Sequence, residues 1–400
     1  MAYIESFRVT KLAGRASDVS RKLDRHVNVF WGLNGTGKTT LLKILHAALQ
    51  NDTTALEDLP FESAEVTFRS TLDGTTVVRS ISKSDQEVQV DEDLLGQFVA
   101  DEVDLEGWVQ SEVQSSEGWT SRVIEGEMDA RRLAQKFSHS YLPITRVSDE
   151  GRHRQVYREA GNTYYREQIS SDDQFVRQVR LRWTDYSAKS LGKIRDIQQQ
   201  GLATVLAILF GGIRGEQQTV GEAVPADDAY EIVRRFLAEQ SISLALGKAS
   251  FSSRYSESAE HRRVVFEIQE VTKLISTVLE PQREFQSVID HMYAGNKHLV
   301  LALTRAGARP NSLQVRVGQK LIPLKALSSG EKQLLQILLE ALGADEDTVM
   351  IDEPELSMHV DWQQRLVGSM QRVNAQCQLL LATHSPEVMA EVPDECVFEL

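Results

Sequence analysis

The stretch Gly32-Leu33-Asn34-Gly35-Thr36-Gly37-Lys38-Thr39 fits the phosphate-binding pattern Gly-x-x-x-x-Gly-Lys-Thr without a mismatch. Polyphosphate chemistry explains these residue types. Gly32, Gly35 and Gly37 let successive backbone N–H groups turn inward where side chains would block close approach. Lys38 offers a point charge to the β- and γ-phosphates, and the Thr39 hydroxyl can ligate Mg2+. Asn34, Thr36 and Thr40 belong to the same cofactor-binding stretch. The context fits as well: β-rich Val27–Trp31 leads in, and Leu41, Leu42, Leu45 and Leu49 follow at helical spacing. A helix starting near Thr39 aims its N-terminal dipole at the anion. The reading is a nucleotide site.

Three further stretches complete it. Val349-Met350-Ile351-Asp352-Glu353-Pro354 is an apolar strand ending in two carboxylates. Asp352 can hold Mg2+, and Glu353 can polarise an attacking water. Such a pair is common alone and specific only beside a phosphate loop. Leu327-Ser328-Ser329-Gly330-Glu331-Lys332-Gln333 opens an apolar helix that Ser328 can cap, exposing N–H groups to an anion. Leu379-Leu380-Leu381-Ala382-Thr383-His384 is a buried strand that delivers a histidine just past its end; such a histidine is usually structural, and this position also suits a γ-phosphate sensor.

The elements that position these groups fall into three parts: 1–146, 147–297 and 298–400. In the first, strands are expected over 2–10 and 26–31 around a polar excursion, with Arg8, Arg15 and Arg21 as candidates to approach the nucleotide. A hairpin over 64–70 and 75–82 turns at Asp73-Gly74, a helix is expected over about 126–137, and a buried strand over 141–144. The middle part carries helical patterns over 168–200, 201–213, 227–246 and 258–295, with no sustained heptad, and reads as a compact helical insertion. Strands return at 298–304 and 312–317.

Composition bounds the function. The chain is 41% hydrophobic and 26% charged, with no apolar run near the ~20 residues of a membrane span. Its N-terminus lacks the pattern of a signal peptide, and two cysteines, Cys377 and Cys396, are too few for a disulfide framework, so a reducing cytoplasm is expected. The net charge of −14 argues against nonspecific nucleic-acid binding by overall attraction. Charge is uneven, however. Residues 84–120 hold eleven acidic residues and no Lys or Arg, whereas 131–195 hold fourteen Lys/Arg against seven Asp/Glu. Each block reads either as a solvated surface or as a site that repels or meets a phosphate backbone.

The order of phosphate loop, long insertion, Leu-Ser-Ser-Gly-Glu-Lys-Gln, Ile-Asp-Glu-Pro-Glu-Leu-Ser-Met-His and Ala-Thr-His-Ser-Pro resembles the ABC-type ATPase heads. Within them it is similar to the branch of OLD-family ATPases, structural-maintenance-of-chromosomes heads and the ATPase subunits of Septu- and PARIS-type phage defence systems. The resemblance covers about 1–146 and 298–400. It implies an α/β fold, a P-loop ATPase head with an inserted helical domain, using ATP and Mg2+. It further implies a homodimer in which two heads sandwich two ATP molecules. Lys38 and Thr39 would bind phosphate and metal, Asp352 the metal, and Glu353 would be the general base. Ser328 and Gly330, within the signature Ser328-Ser329-Gly330-Glu331, would contact the partner's γ-phosphate; His384 would be the switch histidine, and Ser357 to His359 the loop communicating across the dimer. Two departures stand out. Ser329 replaces a glycine common among relatives, and the family's glutamine after the mid-lobe strand is missing: Tyr141-Leu142-Pro143-Ile144-Thr145-Arg146 sits there, with Gln155 well beyond.

The expected function is an ATP-driven dimerising switch that controls a separate nuclease or toxin. The chain ends soon after the His384 strand, and no further cluster of acids stands out for nuclease chemistry. The alternative is a DNA-repair or chromosome-associated ATPase that clamps DNA on binding ATP. A transporter subunit is the third reading, disfavoured by the insertion and by the lack of a membrane element.

Overall fold

The computed structural model describes residues 2–83, 112–114, 118–143, 155–159, 162–166, 170–210, 224–239, 242–243, 245–293, 297–302 and 312–400. Most of the acidic block 84–120 lies outside them, as do Thr145, Arg146 and the turn at 306–311.

The chain runs β1 (Ala2–Thr10), β2 (Val19–Lys22), β3 (Val27–Trp31), α1 (Lys38–Gln50), β4 (Ser63–Ser70), β5 (Thr76–Ser82), β6 (Glu112–Gln114), β7 (Thr120–Glu125), α2 (Ala130–Leu133) and β8 (His139–Leu142). The middle follows with β9 (Gln155–Glu159), β10 (Asn162–Arg166), α3 (Ser171–Leu209), α4 (Ala226–Glu239), α5 (Lys248–Glu257) and α6 (Ala259–Met292). The chain closes with β11 (Lys297–Ala302), β12 (Ser312–Val317), β13 (Lys320–Ile322), α7 (Ser329–Gly343), β14 (Thr348–Asp352), α8 (Val360–Val373), β15 (Gln378–Thr383) and β16 (Val397–Glu399).

Two sheets build the first of two compact units, which comprises residues 1–182, 287–300 and 313–400. The central sheet has the order β16-β3-β15-β14-β8, and all its pairings are parallel. Every residue of β14 and β15 is buried, as continuous apolar strands covered on both faces require. The second sheet, β2-β1-β4-β5-β7-β6, is antiparallel, and β4 buries alternate residues as its alternating sequence predicts. Helix α1 packs in the core shared by both sheets, with Leu41, Leu42, Ile44 and Leu45 fully buried beside Phe30, Phe68 and Leu380.

Buried polar residues fix the relation of the two sheets. Gln378, fully buried, accepts from the Ile4 amide at 2.9 Å and the Thr348 hydroxyl at 3.0 Å, and donates to the carbonyls of Ile4 and Asp24. Its amide is fully satisfied, so one side chain joins β1, β14 and β15 without an orphaned group. Arg79 is also fully buried and donates to the carbonyls of Ala48, Leu49, Leu133 and Gln135, closing the C-terminal end of α1.

The second unit comprises 183–286 and 301–312. Ala229, Val233, Phe251, Tyr255, Val265 and Ile268 form its core, and Gly201 of α3 lies against Val271 of α6 with no room for a Cβ.

Several elements differ from the sequence reading. The two helical patterns over 168–200 and 201–213 are one helix, α3, because Gly201 continues it and packs closely rather than ending it. The helix expected over 126–137 is a single turn, α2, after strand β7. The pattern over 227–246 is the shorter helix α4, which ends at Glu239, and α5 lies beyond it, between the expected helical stretches. Strands β2 and β16 were not anticipated: β2 is short and polar, and β16 has only three residues.

Candidate functional site

Parallel pairing brings the motifs together. In the order β3, β15, β14, Trp31 pairs with Thr383 and Ala382 pairs with Asp352. The residues that follow these strand ends are Gly32, His384 and Glu353, so loop, histidine and carboxylate leave the sheet at one level. Ligands bind outside the carboxyl ends of such strands. A cavity of about 480 Å³ opens there, lined by Asn34, Gly35, Gly37, Lys38, Thr39, Thr40, Glu353 and His384, with Ala13, Pro60 and Leu356 completing its wall.

The loop is held by its glycines and by Lys38. Gly37 adopts φ 100°, and a Cβ there would stand 3.1 Å from that of Ala13. At Gly32 a Cβ would overlap the backbone carbonyl of Leu400, whose amide donates to Trp31 O at 2.7 Å. Strand β16 thus closes directly on the loop. Lys38 is 5% exposed and its Nζ donates to the carbonyls of Gly32 and Leu33 at 2.8 and 2.9 Å, placing the ammonium inside the loop. Thr36 Oγ1 donates to Leu33 O at 2.9 Å.

Asp352 is 2% exposed, and neither carboxylate oxygen reaches a partner in hydrogen-bond geometry. Burial pushes its carboxyl up to about 6; Glu353 adds to this, while Thr39, Lys38 and Lys43 lie close enough to oppose it. Two orphaned buried oxygens beside a threonine hydroxyl are a donor set suited to a hard divalent cation. Tyr141 lies near Asp352, its hydroxyl buried without a partner and its phenol raised by burial and by the aspartate. It sits in β8, the strand after which the glutamine was sought; Thr145 and Arg146 lie outside the described residues, and the side chain of Gln155 is likewise not described.

Glu353 takes a left-handed backbone (φ 54°), with its amide donating to Ala382 O at 2.8 Å. Its Oε2 lies 2.5 Å from His384 Nδ1. Glu355, which the sequence reading passed over, is 6% exposed, and its Oε1 lies 3.1 Å from the same ring nitrogen. That oxygen also accepts from Thr383 Oγ1 (2.6 Å) and from the amides of His384 (2.9 Å) and Ser385 (3.2 Å). The ligand atoms of Glu353, Glu355 and His384 all lie within 4.8 Å of one another.

The Ser328–Glu331 motif does not line this cavity. Ser328 caps α7 in a capping box with Glu331. The Glu331 carboxylate is spent internally, on Lys297 through Oε1 and on the Ser328 amide through Oε2. Burial works against its charge, but these partners outweigh it and hold its carboxyl below the usual range. A Cβ on Gly330 would overlap the carbonyl of Ser357, so the start of α7 packs on the loop after Glu353; Ser329 is exposed. Arg15 and Arg21 line a different recess, beside Val397–Leu400.

With this geometry in view, comparison with known proteins is informative. A family model described as "AAA domain, putative AbiEii toxin, Type IV TA system" matches residues 27–390. The chain belongs to this family. As an AAA-family ATPase it is also 23% identical over 395 residues to a protein named "Retron Vc95 probable ATPase" from Vibrio cholerae serotype O1 biovar El Tor, covering 93% of this chain and 68% of that protein. Among solved structures it is similar to the Smc head domain with an extended coiled coil from Pyrococcus furiosus, bound there to the C-terminal domain of ScpA. That match has a TM-score of 0.43 and 13% identity, over 98% of this chain and 92% of the other. The SMC head domain from Thermotoga maritima matches with a TM-score of 0.36 and 13% identity, over 96% and 90%. Among the described residues, no helix of this AAA-family chain is long and apolar enough to cross a membrane.

Proposed function

We propose that this chain is an ATP-driven switch whose heads pair on ATP, hydrolyse it, and relay their state to a separate effector in antiviral defence. The observation that carries the reading is the convergence of the Lys38 loop, Glu353 and His384 on one cavity at the ends of three adjacent strands, with Asp352 as the last residue of strand β14. The likeness to a retron ATPase and membership of a family described with a toxin–antitoxin system support the defence context. That context is associational.

The geometry supports the following division of labour. The loop amides and Lys38 bind the triphosphate, with Lys38 exchanging its carbonyl partners for phosphate oxygens. Asp352 and Thr39 would hold Mg2+, which neutralises charge on the β- and γ-phosphates when bound. Glu353 orients the attacking water and accepts its proton. His384 Nδ1 faces two acceptors and carries a proton towards them, which leaves Nε2 for the γ-phosphate. Ser328 and Gly330 present the start of α7 to the nucleotide of a second copy.

The test is the native mass of complexes captured through Glu353→Gln with ATP. A homodimer carrying a second, nuclease- or toxin-like protein is expected. A nucleic-acid complex without protein would replace this reading with ATP-dependent DNA clamping. A monomer that turns over ATP at the wild-type rate would refute the base assignment and the pairing together.

A further inference from the structure

Glu355 lies two residues beyond the general base and is buried under the His384 loop. One of its oxygens collects the Thr383 hydroxyl and two successive amides and lies 3.1 Å from His384 Nδ1; the other, Oε2, is buried with no hydrogen-bond partner. A carboxylate that accepts several donors is a strong, directional anchor. The anchor spans two strand ends, since Glu355 follows β14 while Thr383 ends β15.

His384 Nδ1 has one proton and two carboxylates facing it. At present Glu353 is the nearer acceptor, at 2.5 Å. A base engaged in this way has an oxygen occupied by the imidazole, and orienting a water requires that contact to loosen. Without a second acceptor, His384 would then lose the group that fixes its ring. Glu355 supplies one, already in place and immobilised from three sides. We propose that Glu355 is a positioning residue: it takes over the His384 Nδ1–H hydrogen bond when Glu353 turns to the attacking water, keeping Nε2 aimed at the γ-phosphate. No bond is made or broken in this hand-over; one hydrogen bond is exchanged for another. The inference rests on the hydrolytic reading above.

The test measures ATP affinity and turnover for wild type, Glu355→Gln, His384→Ala and the double variant. Glutamine is isosteric: its carbonyl can still accept from Thr383 and the two amides, so folding should survive and a thermal melt checks it, but it offers the His384 Nδ1–H a neutral and weaker acceptor in place of the carboxylate. ATP affinity should stay within about twofold while kcat falls about 10- to 100-fold, the scale of a misplaced catalytic group. In the His384→Ala background the same change should cost less than about twofold, because Glu355 acts through the histidine. Glu355→Asp, one methylene short, should fail to restore kcat. Losses that multiply in the double variant, or an unchanged kcat in Glu355→Gln, would overturn the proposal. If wild type hydrolyses no ATP, the underlying reading fails; if it does and Glu353→Gln abolishes turnover while Glu355→Gln leaves kcat unchanged, only the role of Glu355 falls.

Discussion

Replacing Asp352 with asparagine should change stability in a way that depends on pH. The Asp352 carboxyl is held at about 6 against 3.8 for the free side chain, chiefly by burial. The difference of about 2 units corresponds to about 3 kcal/mol at roughly 1.4 kcal/mol per unit. The sign follows from proton binding. Between these two values the folded chain holds a proton at Asp352 that the unfolded chain has released, so this site's contribution falls as pH rises and is lost above about 6. Asparagine stays neutral throughout. In metal-free protein with EDTA, urea denaturation followed by tryptophan fluorescence should show Asp352→Asn gaining on wild type by about 2–3 kcal/mol between pH 4 and pH 7.5. The comparison, and not the bare wild-type curve, carries the test. His139, pushed down to about 4 by burial, contributes the opposite slope in the same window, being stable when neutral and destabilised as pH falls through 6.5. Both proteins share that term, so it cancels. The variant should also abolish ATP turnover and lose any stabilisation by Mg2+. A difference flat to within about 1 kcal/mol across this range would refute the account of Asp352 as a carboxyl whose ionisation is opposed chiefly by burial.

Lys38→Ala should weaken ATP binding itself, read by calorimetry, because it removes the buried ammonium inside the loop; affinity equal to wild type would contradict this. Arg79→Leu should destabilise the first unit by about 3–5 kcal/mol, since it strands four carbonyls around the end of α1; a loss below about 1 kcal/mol in urea would show that they find other partners. Gly330→Ala should disturb the start of α7 because the new methyl meets the Ser357 carbonyl, and ATP-dependent pairing should fall while nucleotide binding by the single chain persists; unchanged pairing by light scattering would speak against that placement.

The parts of the site legible in sequence were those whose chemistry is local. The phosphate loop announces itself because its glycines, Lys38 and Thr39 act within one turn, and the apolar runs before Asp352 and His384 can only be buried strands. The cap of α7 was readable for the same reason: Ser328 and Glu331 satisfy each other three residues apart. What escaped depends on pairing across the chain. Ala13 and Pro60 reach the cavity because a left-handed turn at Ala13 donates to the Pro60 carbonyl, and neither residue carries a chemical signal. Glu355 looked like one more acid after an apolar strand, yet parallel pairing of β14 with β15 sets it beneath Thr383 and His384. Gln378, buried through a hydrogen-bond set that spans β1, β14 and β15, is invisible for the same reason. Local motifs therefore announce the atoms that would meet a nucleotide, while the residues holding those atoms still are chosen by strand order. Variants that separate binding from turnover should accordingly be sought among the second group, at Glu355 and its partners rather than in the loop.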